Sequence, residues 1–329
     1  MKKIVALILL FSQLMLISTP FEHLEAKEIE KVDFILDWVP NTNHTGIFVA
    51  IEKGYLEDVG IELDVKRPPE GSATDLVGLG QAPFGIGFQD SMAAKLEKGL
   101  PITTVAAIIE HNTSGLISKK EANIQSPKDL VKKRYGTWHD QIELAMVEYL
   151  VNEDGGDFSS VELVPNQGDN SITGLATNQF DAAFIYYAWD GILAKHQGIE
   201  TNYFDFREYS DNLDFYSPVI VANNDYLKEH PNQARDIIQA IKKGYQYAIA
   251  NPIESSEILL KYAPDLKGQE AFVKESQEWI SQHYATEPSH WGKIDESRWN
   301  RYYEWLQSYK LIEKDLTKTP FFTNEFVEE

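Results

Sequence analysis

The segment DWVPNTNHTG at residues 37–46 directly follows VDFIL at residues 32–36, and together they set the frame of the chain. The short, largely apolar segment predicts a buried β-strand, and the polar segment after it predicts a strand-to-helix turn. An aromatic ring, two amides and an imidazole crowd onto that turn: Trp38, Asn41, Asn43 and His44. Buried amides and imidazoles need hydrogen-bond partners, so a core gains nothing from them. The cluster favours a site for a flat, nitrogen-rich molecule, and a capped helix start with a packed tryptophan is the alternative.

Short apolar segments alternate with amphipathic ones along the rest of the chain, which predicts an α/β fold. The predicted strands are residues 32–36, 61–66, 84–88, 102–109, 134–137, 161–164, 182–187 and 215–222. The predicted helices are residues 46–53, 72–78, 91–97, 141–152, 171–179 and 231–251, with a further helix start at 126–130. Two such units with two crossings between them predict a hinge. We assign residues 27–118 and 218–329 to lobe 1 and residues 119–217 to lobe 2.

Length and charge narrow the class of protein. A chain of 329 residues can build two domains of ordinary size. It carries 51 acidic and 30 basic residues, a formal charge of −21. Such a surface repels nucleic acid and phosphorylated metabolites, so no nucleic-acid partner is expected and a neutral or cationic ligand is favoured.

The N-terminus has the pattern of an export signal. Lys2 and Lys3 precede an apolar run at residues 4–17, so residues 1–26 are predicted to form a signal peptide and a tether. Thr19 stands where a lipoprotein cleavage site needs cysteine, and the chain contains no cysteine. We therefore expect an exported, extracytoplasmic protein without a lipid anchor at that site. The missing thiols also exclude disulfides and cysteine nucleophiles.

The candidate site residues follow the carboxyl ends of predicted strands in both units, where open α/β sheets bind ligands. Candidate aromatic plates are Trp38, Trp138, Tyr186 and Tyr187, since stacking on a flat heteroaromatic contributes about 1–3 kcal/mol per ring. Candidates for hydrogen bonds to the edge of the ligand ring are Asn41, Asn43 and Gln89, because an amide can bond a ring nitrogen and its neighbouring amino group together. Asp190 suits a protonated ring nitrogen. The remaining candidates are His44, Asp90 and Tyr216.

Several candidates have a structural alternative. Neighbouring strand residues face opposite sides, so only one of Tyr186 and Tyr187 is expected to line the cleft, and Tyr187 is preferred. Trp138 suits a core position equally well. His44 suits a helix-start hydrogen bond, Asp90 suits a helix cap, and Tyr216 suits a hinge.

Seven segments, in order, carry a resemblance to a known family: DWVPNTNHTG, EKGYLEDVGIELDV, EGSATDLVGLGQAPFGIG, SPKDL, KRYGTW, NQFDAAFI and IKKGYQYAIANP. They resemble the thiamine-precursor pyrimidine branch of bacterial ABC-transporter substrate-binding proteins, over residues 31–310. The resemblance implies a two-lobed periplasmic-binding-protein fold of type II with two hinge crossings. It also implies capture of a 4-amino-2-methylpyrimidine, of the formylaminopyrimidine type, for a permease and its ATPase. The family more often has Glu at the position of Asp190.

The same resemblance supplies an enzyme alternative, a pyrimidine synthase that consumes its own pyridoxal-phosphate lysine and a histidine. In that enzyme both residues fall on the segment matching residues 85–91, which here reads GIGFQDS. Its cysteine-rich iron motif falls where residues 212–218 read NLDFYSP. No hydrolase, zinc-protease or phosphate-loop motif occurs elsewhere. We therefore expect a binding protein with no cofactor and no turnover, or else the same fold adapted to another small solute.

Overall fold

A computed structural model describes residues 29–68, 72–166 and 171–328 of the chain. The predicted signal peptide and tether at residues 1–26 lie outside the described residues. Within them, no helix combines the length and the apolar character needed to cross a bilayer.

The chain forms two five-stranded sheets with helices packed against them, as the α/β prediction requires. Strands of the first sheet are β1 (Glu30–Ile35), β2 (Ile61–Lys66), β3 (Phe84–Gly87), β4 (Ile102–Ala107) and β10 (Val219–Asn223). Strands of the second sheet are β5 (Ser114–Lys119), β6 (Arg134–Thr137), β7 (Glu162–Pro165), β8 (Ala182–Tyr186) and β9 (Thr201–Asp205). The spatial orders are β2-β1-β3-β10-β4 and β7-β6-β8-β5-β9.

Both sheets mix parallel and antiparallel strands in the same way. In the first sheet β1 runs parallel to β2 and β3, and β10 runs antiparallel to β3 and β4. In the second sheet β6 runs parallel to β7 and β8, and β5 runs antiparallel to β8 and β9. The strands with fully buried residues, β3 and β10, lie together at the centre of the first sheet. Parallel strands place their carboxyl ends on one edge of each sheet, where ligands bind in such folds.

The chain passes between the sheets twice, after β4 and after β9. The two passages lie side by side, because the Ile108 amide donates to the Pro218 carbonyl over 3.1 Å. The side-chain amide of Asn112 donates to the Leu213 carbonyl over 2.7 Å, and its backbone amide donates to Asp214 Oδ1 over 2.9 Å. These contacts give the structure the two adjacent crossings of a hinge.

Eleven helices of the described residues surround the sheets. They are α1 (Thr45–Glu52), α2 (Ala73–Gly78), α3 (Gln89–Glu97), α4 (Gln141–Glu153), α5 (Ser171–Ala176), α6 (Ile192–His196), α7 (Asn224–Glu229), α8 (Pro231–Ala250), α9 (Pro252–Tyr262), α10 (Glu270–Ser281) and α11 (Glu296–Ser308). A π-helical turn, Tyr187–Gly191, joins β8 to α6.

Helix α8 crosses α1 at very short range. A Cβ atom on Gly244 would lie 2.0 Å from the carbonyl oxygen of Gly46, so a side chain at this position has no space. The crossing holds the start of α1 and therefore the turn at residues 37–46.

The aromatic residues near the C-terminus pack into the core. Trp299, Tyr302 and Trp305 on α11 are at least 96% buried. Tyr302 stacks on Phe215 of the second passage at 4.6 Å between ring centroids, and its hydroxyl lies 3.9 Å from Met146 Sδ on α4. Helix α11 therefore contacts α4, which lies in the segment assigned to lobe 2, although residues 218–329 were assigned to lobe 1.

Two strands of the second sheet escaped prediction. β5 reads SGLISK and β9 reads TNYFD, and neither has a clear apolar run or alternation. β5 becomes a strand because β8 and β9 pair with it from both sides. The predicted strand at 215–222 also begins four residues too early, since the structure starts β10 at Val219.

Candidate functional site

A cavity of about 360 Å³ lies between the two sheets, at the carboxyl ends of their parallel strands. Its lining comes from the segments that follow β1, β3, β6, β7 and β8. The lining residues are Asp37, Trp38, Asn41, Asn43, Phe88, Trp138, Asn166, Ser171, Tyr186, Trp189 and Asp190. Six predicted candidates are brought together here: Trp38, Asn41, Asn43, Trp138, Tyr186 and Asp190.

The turn after β1 is held by its own side chains. Asn41 caps the 3-10 turn Thr42–His44, because its Oδ1 accepts from the Asn43 amide over 2.8 Å. Its Nδ2 donates to the Val39 carbonyl over 3.1 Å. The amide of Asn41 is therefore largely used by the turn, whereas the Asn43 side chain has no hydrogen bond to any described residue and remains free for a ligand.

His44 orients a carboxylate at the edge of the cavity. Its Nδ1 accepts from the Asn41 backbone amide over 3.2 Å, so the hydrogen of the neutral ring sits on Nε2. Nε2 then donates to Asp37 Oδ1 over 2.7 Å. The imidazole is completely buried and does not line the cavity, whereas Asp37 does. Of the two alternatives for His44, the structure therefore shows the helix-start hydrogen bond.

Asp190 is a second carboxylate on the cavity wall. Removal from water raises its pKa to about 7, and a backbone hydrogen bond at Tyr186 opposes this shift only in part. Near neutral pH this side chain therefore exists in both forms. It accepts hydrogen bonds when ionised, and it also donates one when protonated.

Aromatic rings supply most of the remaining lining. Phe88, after β3, contacts Tyr186, at the end of β8, with 5.9 Å between ring centroids. The parts of the lining that come from the two sheets therefore touch at this point. Trp138 packs at 5.3 Å from Phe184 and keeps 47% of its surface exposed, which is not a core position. Trp38 is partly exposed and stacks on no other described ring. The cavity thus offers flat apolar faces on both sides.

The structure places Tyr186, rather than the preferred Tyr187, on the cavity. The preference assumed that the strand continues through Tyr187, but β8 ends at Tyr186 and Tyr187 opens the π-helical turn. Tyr187 packs instead on Tyr203 and Trp279, at 4.8 and 5.1 Å between centroids. Because the backbone changes from strand to π-helix between Tyr186 and Tyr187, the alternation of strand side chains does not predict which of the two faces the cavity.

Three further candidates lie behind the cavity wall. Gln89 is fully buried, donates to the Trp299 carbonyl over 2.8 Å and accepts from the Tyr216 amide over 2.9 Å. The Tyr216 hydroxyl accepts from the Asp295 amide over 2.7 Å, on the far side of the second passage. Burial raises the pKa of Asp90 to about 6, with a smaller contribution from Asp140, and its Oδ1 has no partner among the described residues. The bonds of Gln89 and Tyr216 fix the second passage between the sheets, and none of the three residues lines the cavity.

Five lining residues were not among the candidates: Asp37, Phe88, Asn166, Ser171 and Trp189. Three of them directly adjoin a candidate in sequence, so position relative to the strand ends was the available signal. Asn166 and Ser171 contact each other over 2.9 Å, from Nδ2 to Oγ, and follow a short, mostly exposed strand that carries no such signal.

The cavity lining is acidic. It contains two carboxylates, and no lysine, arginine or histidine is among its lining residues within the described chain. The described residues also hold no group of histidine, aspartate and glutamate side chains arranged to bind a metal ion. A flat ligand with hydrogen-bond donors or a positive charge therefore suits this lining.

The two sheets, the adjacent crossings and the cavity between them define the periplasmic-binding-protein fold. The alkanesulfonate-binding protein SsuA from Xanthomonas axonopodis pv. citri, solved bound to MOPS, superposes with a TM-score of 0.69 at 11% identity, covering 90% of this chain and 99% of that one. A model of the NMT1/THI5-like family matches residues 41–255, and the chain belongs to that family.

Two curated relatives are each 24% identical to this chain. One is the formylaminopyrimidine-binding protein of Halalkalibacterium halodurans, which aligns over 302 residues and 90% of both chains. The other is the 4-amino-5-hydroxymethyl-2-methylpyrimidine phosphate synthase of Legionella pneumophila, which aligns over 308 residues, 90% of this chain and 92% of its own. The relatives of this chain thus include one named as a binding protein and one named as an enzyme.

Proposed function

We propose that this protein is an extracytoplasmic solute-binding protein that captures a thiamine-precursor aminopyrimidine, of the formylaminopyrimidine type, for an ABC importer. The single observation that carries the proposal is the cavity between the sheets, which combines aromatic faces with two carboxylates. An aminopyrimidine is flat, and its amino group and neighbouring ring nitrogen form one hydrogen-bonding edge. The permease and ATPase of the importer are the proposed partners.

The proposed ligand stacks between Trp38 and Tyr186, while Asp190 forms hydrogen bonds with the edge of its ring. A carboxyl group matches an amino group beside a ring nitrogen in the same two-bond manner in which asparagine matches adenine. The second of these bonds needs one proton between the ring nitrogen and the carboxyl group. Because the pKa of Asp190 is raised to about 7, its carboxyl group can carry that proton near neutral pH. Asn43 is available for a second polar substituent.

The lining argues against an anionic ligand. A sulfonate in this cavity would face Asp37 and Asp190 without a basic side chain among the described lining to neutralise it. Like charges in a partly desolvated site are costly. The fold shared with the alkanesulfonate-binding protein therefore does not make a sulfonate the ligand of this protein.

The synthase alternative lacks its chemistry at the matching positions. A lysine that forms an imine has to reach the cavity, and no lysine is among its described lining residues. The segment at residues 85–91 instead supplies Phe88 to the cavity and Gln89 to the hinge. The segment at residues 212–218 forms the second passage, with Asp214 hydrogen-bonded to the Asn112 amide.

Calorimetry with three ligands separates these functions. We expect saturable one-to-one binding of formylaminopyrimidine, and no comparable heat from pyridoxal phosphate or from an alkanesulfonate. Tight binding of pyridoxal phosphate with an imine absorbance band would favour the enzyme instead. Preferential binding of the sulfonate would overturn the proposed charge preference.

A further inference from the structure

Helix α10 contacts both walls of the cavity through one serine. The walls are the β1 turn, residues 37–46, and the β8 turn, Tyr187–Gly191 with the adjoining Tyr186. Ser276 of α10 is fully buried, and its Oγ donates to the Ala188 carbonyl of the β8 turn over 2.5 Å. The same Oγ lies 2.7 Å from Thr42 Oγ1 of the β1 turn.

The direction of these two hydrogen bonds follows from the number of hydrogens. A serine hydroxyl has one hydrogen, and the Ala188 carbonyl can only accept it. Thr42 must therefore donate to Ser276. The result is a continuous chain from Thr42 through Ser276 to Ala188, which joins the two walls inside the protein.

The neighbours of Ser276 on α10 reinforce this arrangement. Gln277 Oε1 accepts from Thr45 Oγ1, just after the 3-10 turn, over 2.6 Å. On the other side, the Phe272 ring packs edge-on at 4.6 Å from Trp189, which lines the cavity. Glu275 pairs with Lys195 of α6 over 2.5 Å. Helix α10 thus faces the β1 turn and the β8 turn together.

We propose that Ser276 is a positioning residue for the ligand site, one that sets the separation of the β1 turn and the β8 turn. It touches no ligand. It holds the backbone at Ala188, which lies next to Trp189 and two residues from Asp190. The inference rests on the proposed function, because the gap it sets is the one between the aromatic faces that receive the flat ring.

The same helix provides a matched control. Ser281 is 97% buried, and its Oγ donates to the Ala248 carbonyl of α8 over 3.0 Å while accepting from Gln277 Nε2 over 2.9 Å. It is thus a buried serine with two hydrogen bonds on α10, like Ser276. Its partners lie on α8 and α10, so it contacts neither cavity wall itself. It reaches the β1 turn only indirectly, through Gln277 and Thr45, and it has no hydrogen bond to the β8 turn.

The experiment compares Ser276→Ala with Ser281→Ala by calorimetry and stopped-flow with formylaminopyrimidine. Both variants lose two buried hydrogen bonds, so both are expected to melt below the parent. We expect Ser276→Ala alone to bind about tenfold more weakly, mainly through faster dissociation. The same dissociation constant in both variants would overturn the proposal. Thr42→Val, which removes only the donor to Ser276, is expected to weaken binding in the same direction and serves if Ser276→Ala does not fold.

A second measurement works without ligand, so it separates failure of this inference from failure of the proposed function. The chain has no cysteine, so spin labels can be placed at Glu62→Cys and Glu162→Cys, on the exposed edge strands β2 and β7. We expect the Ser276→Ala background to give a broader distance distribution between the labels than the Ser281→Ala background. Identical distributions would contradict the role of Ser276, whatever the ligand proves to be.

Discussion

Replacing Trp38 by alanine is expected to weaken formylaminopyrimidine binding by about tenfold or more, because the ligand loses one of its two aromatic faces. Trp38 is partly exposed, lines the cavity and packs on no other described ring, so its removal should leave the fold intact. Calorimetry on the purified variant gives the dissociation constant, and thermal melting verifies the fold.

Tyr309→Ala is the matched control for this prediction. Tyr309 is a large aromatic residue like Trp38, and 44% of its own surface is exposed. It follows α11 and does not line the cavity. Its loss is expected to leave affinity unchanged. A folded Trp38→Ala protein that binds as tightly as Tyr309→Ala would remove Trp38 from the site.

Asp190→Asn is expected to weaken binding and to flatten its dependence on pH. In the empty protein burial raises the pKa of Asp190 to about 7. The proposed complex needs one proton between Asp190 and the ring nitrogen. Above pH 7 a neutral ligand meets an ionised carboxylate, so binding must take up a proton and affinity falls by up to about tenfold per pH unit. The asparagine variant has no such step, so its affinity should change little between pH 7 and 9.

Stability offers a control with the opposite sign. The folded-state pKa of Asp190 lies above that of the unfolded chain, so the folded state binds more protons between about pH 4 and pH 7. Stability from this group is complete below that window and is lost as the pH rises through it. Asp190→Asn should therefore melt no lower than the parent at pH 8, although it binds ligand less well.

Equal pH profiles of affinity in the two proteins would contradict direct contact between Asp190 and the ligand.

The sequence predicts the fold well where hydrophobic patterns are local. The apolar segments that became β1 and β8 stand out on their own, and the residues after their carboxyl ends include Trp38 and Asp190, which both line the cavity. β5 and β9 could not be found in this way, because their pairing depends on neighbours distant in sequence.

The candidate site is predictable only in part for the same reason. Asn41, Asn43 and Asp190 were chosen by residue type and position. The choice between Tyr186 and Tyr187 depended on where a strand gives way to a π-helical turn, which no periodicity reveals. Gln89 has the right chemistry for ligand contact, but it bonds the distant Tyr216 amide at the hinge instead. His44 also has the right chemistry, but it bonds Asp37, seven residues away, and orients that carboxylate.

A crystal structure of the protein with formylaminopyrimidine would decide where the ligand binds. We expect a flat ligand between Trp38 and Tyr186, with its amino group and adjacent ring nitrogen within hydrogen-bond distance of the Asp190 carboxyl group. A ligand bound outside the cavity, or a closed complex in which the Trp38 and Tyr186 rings stand too far apart to contact one molecule, would contradict it.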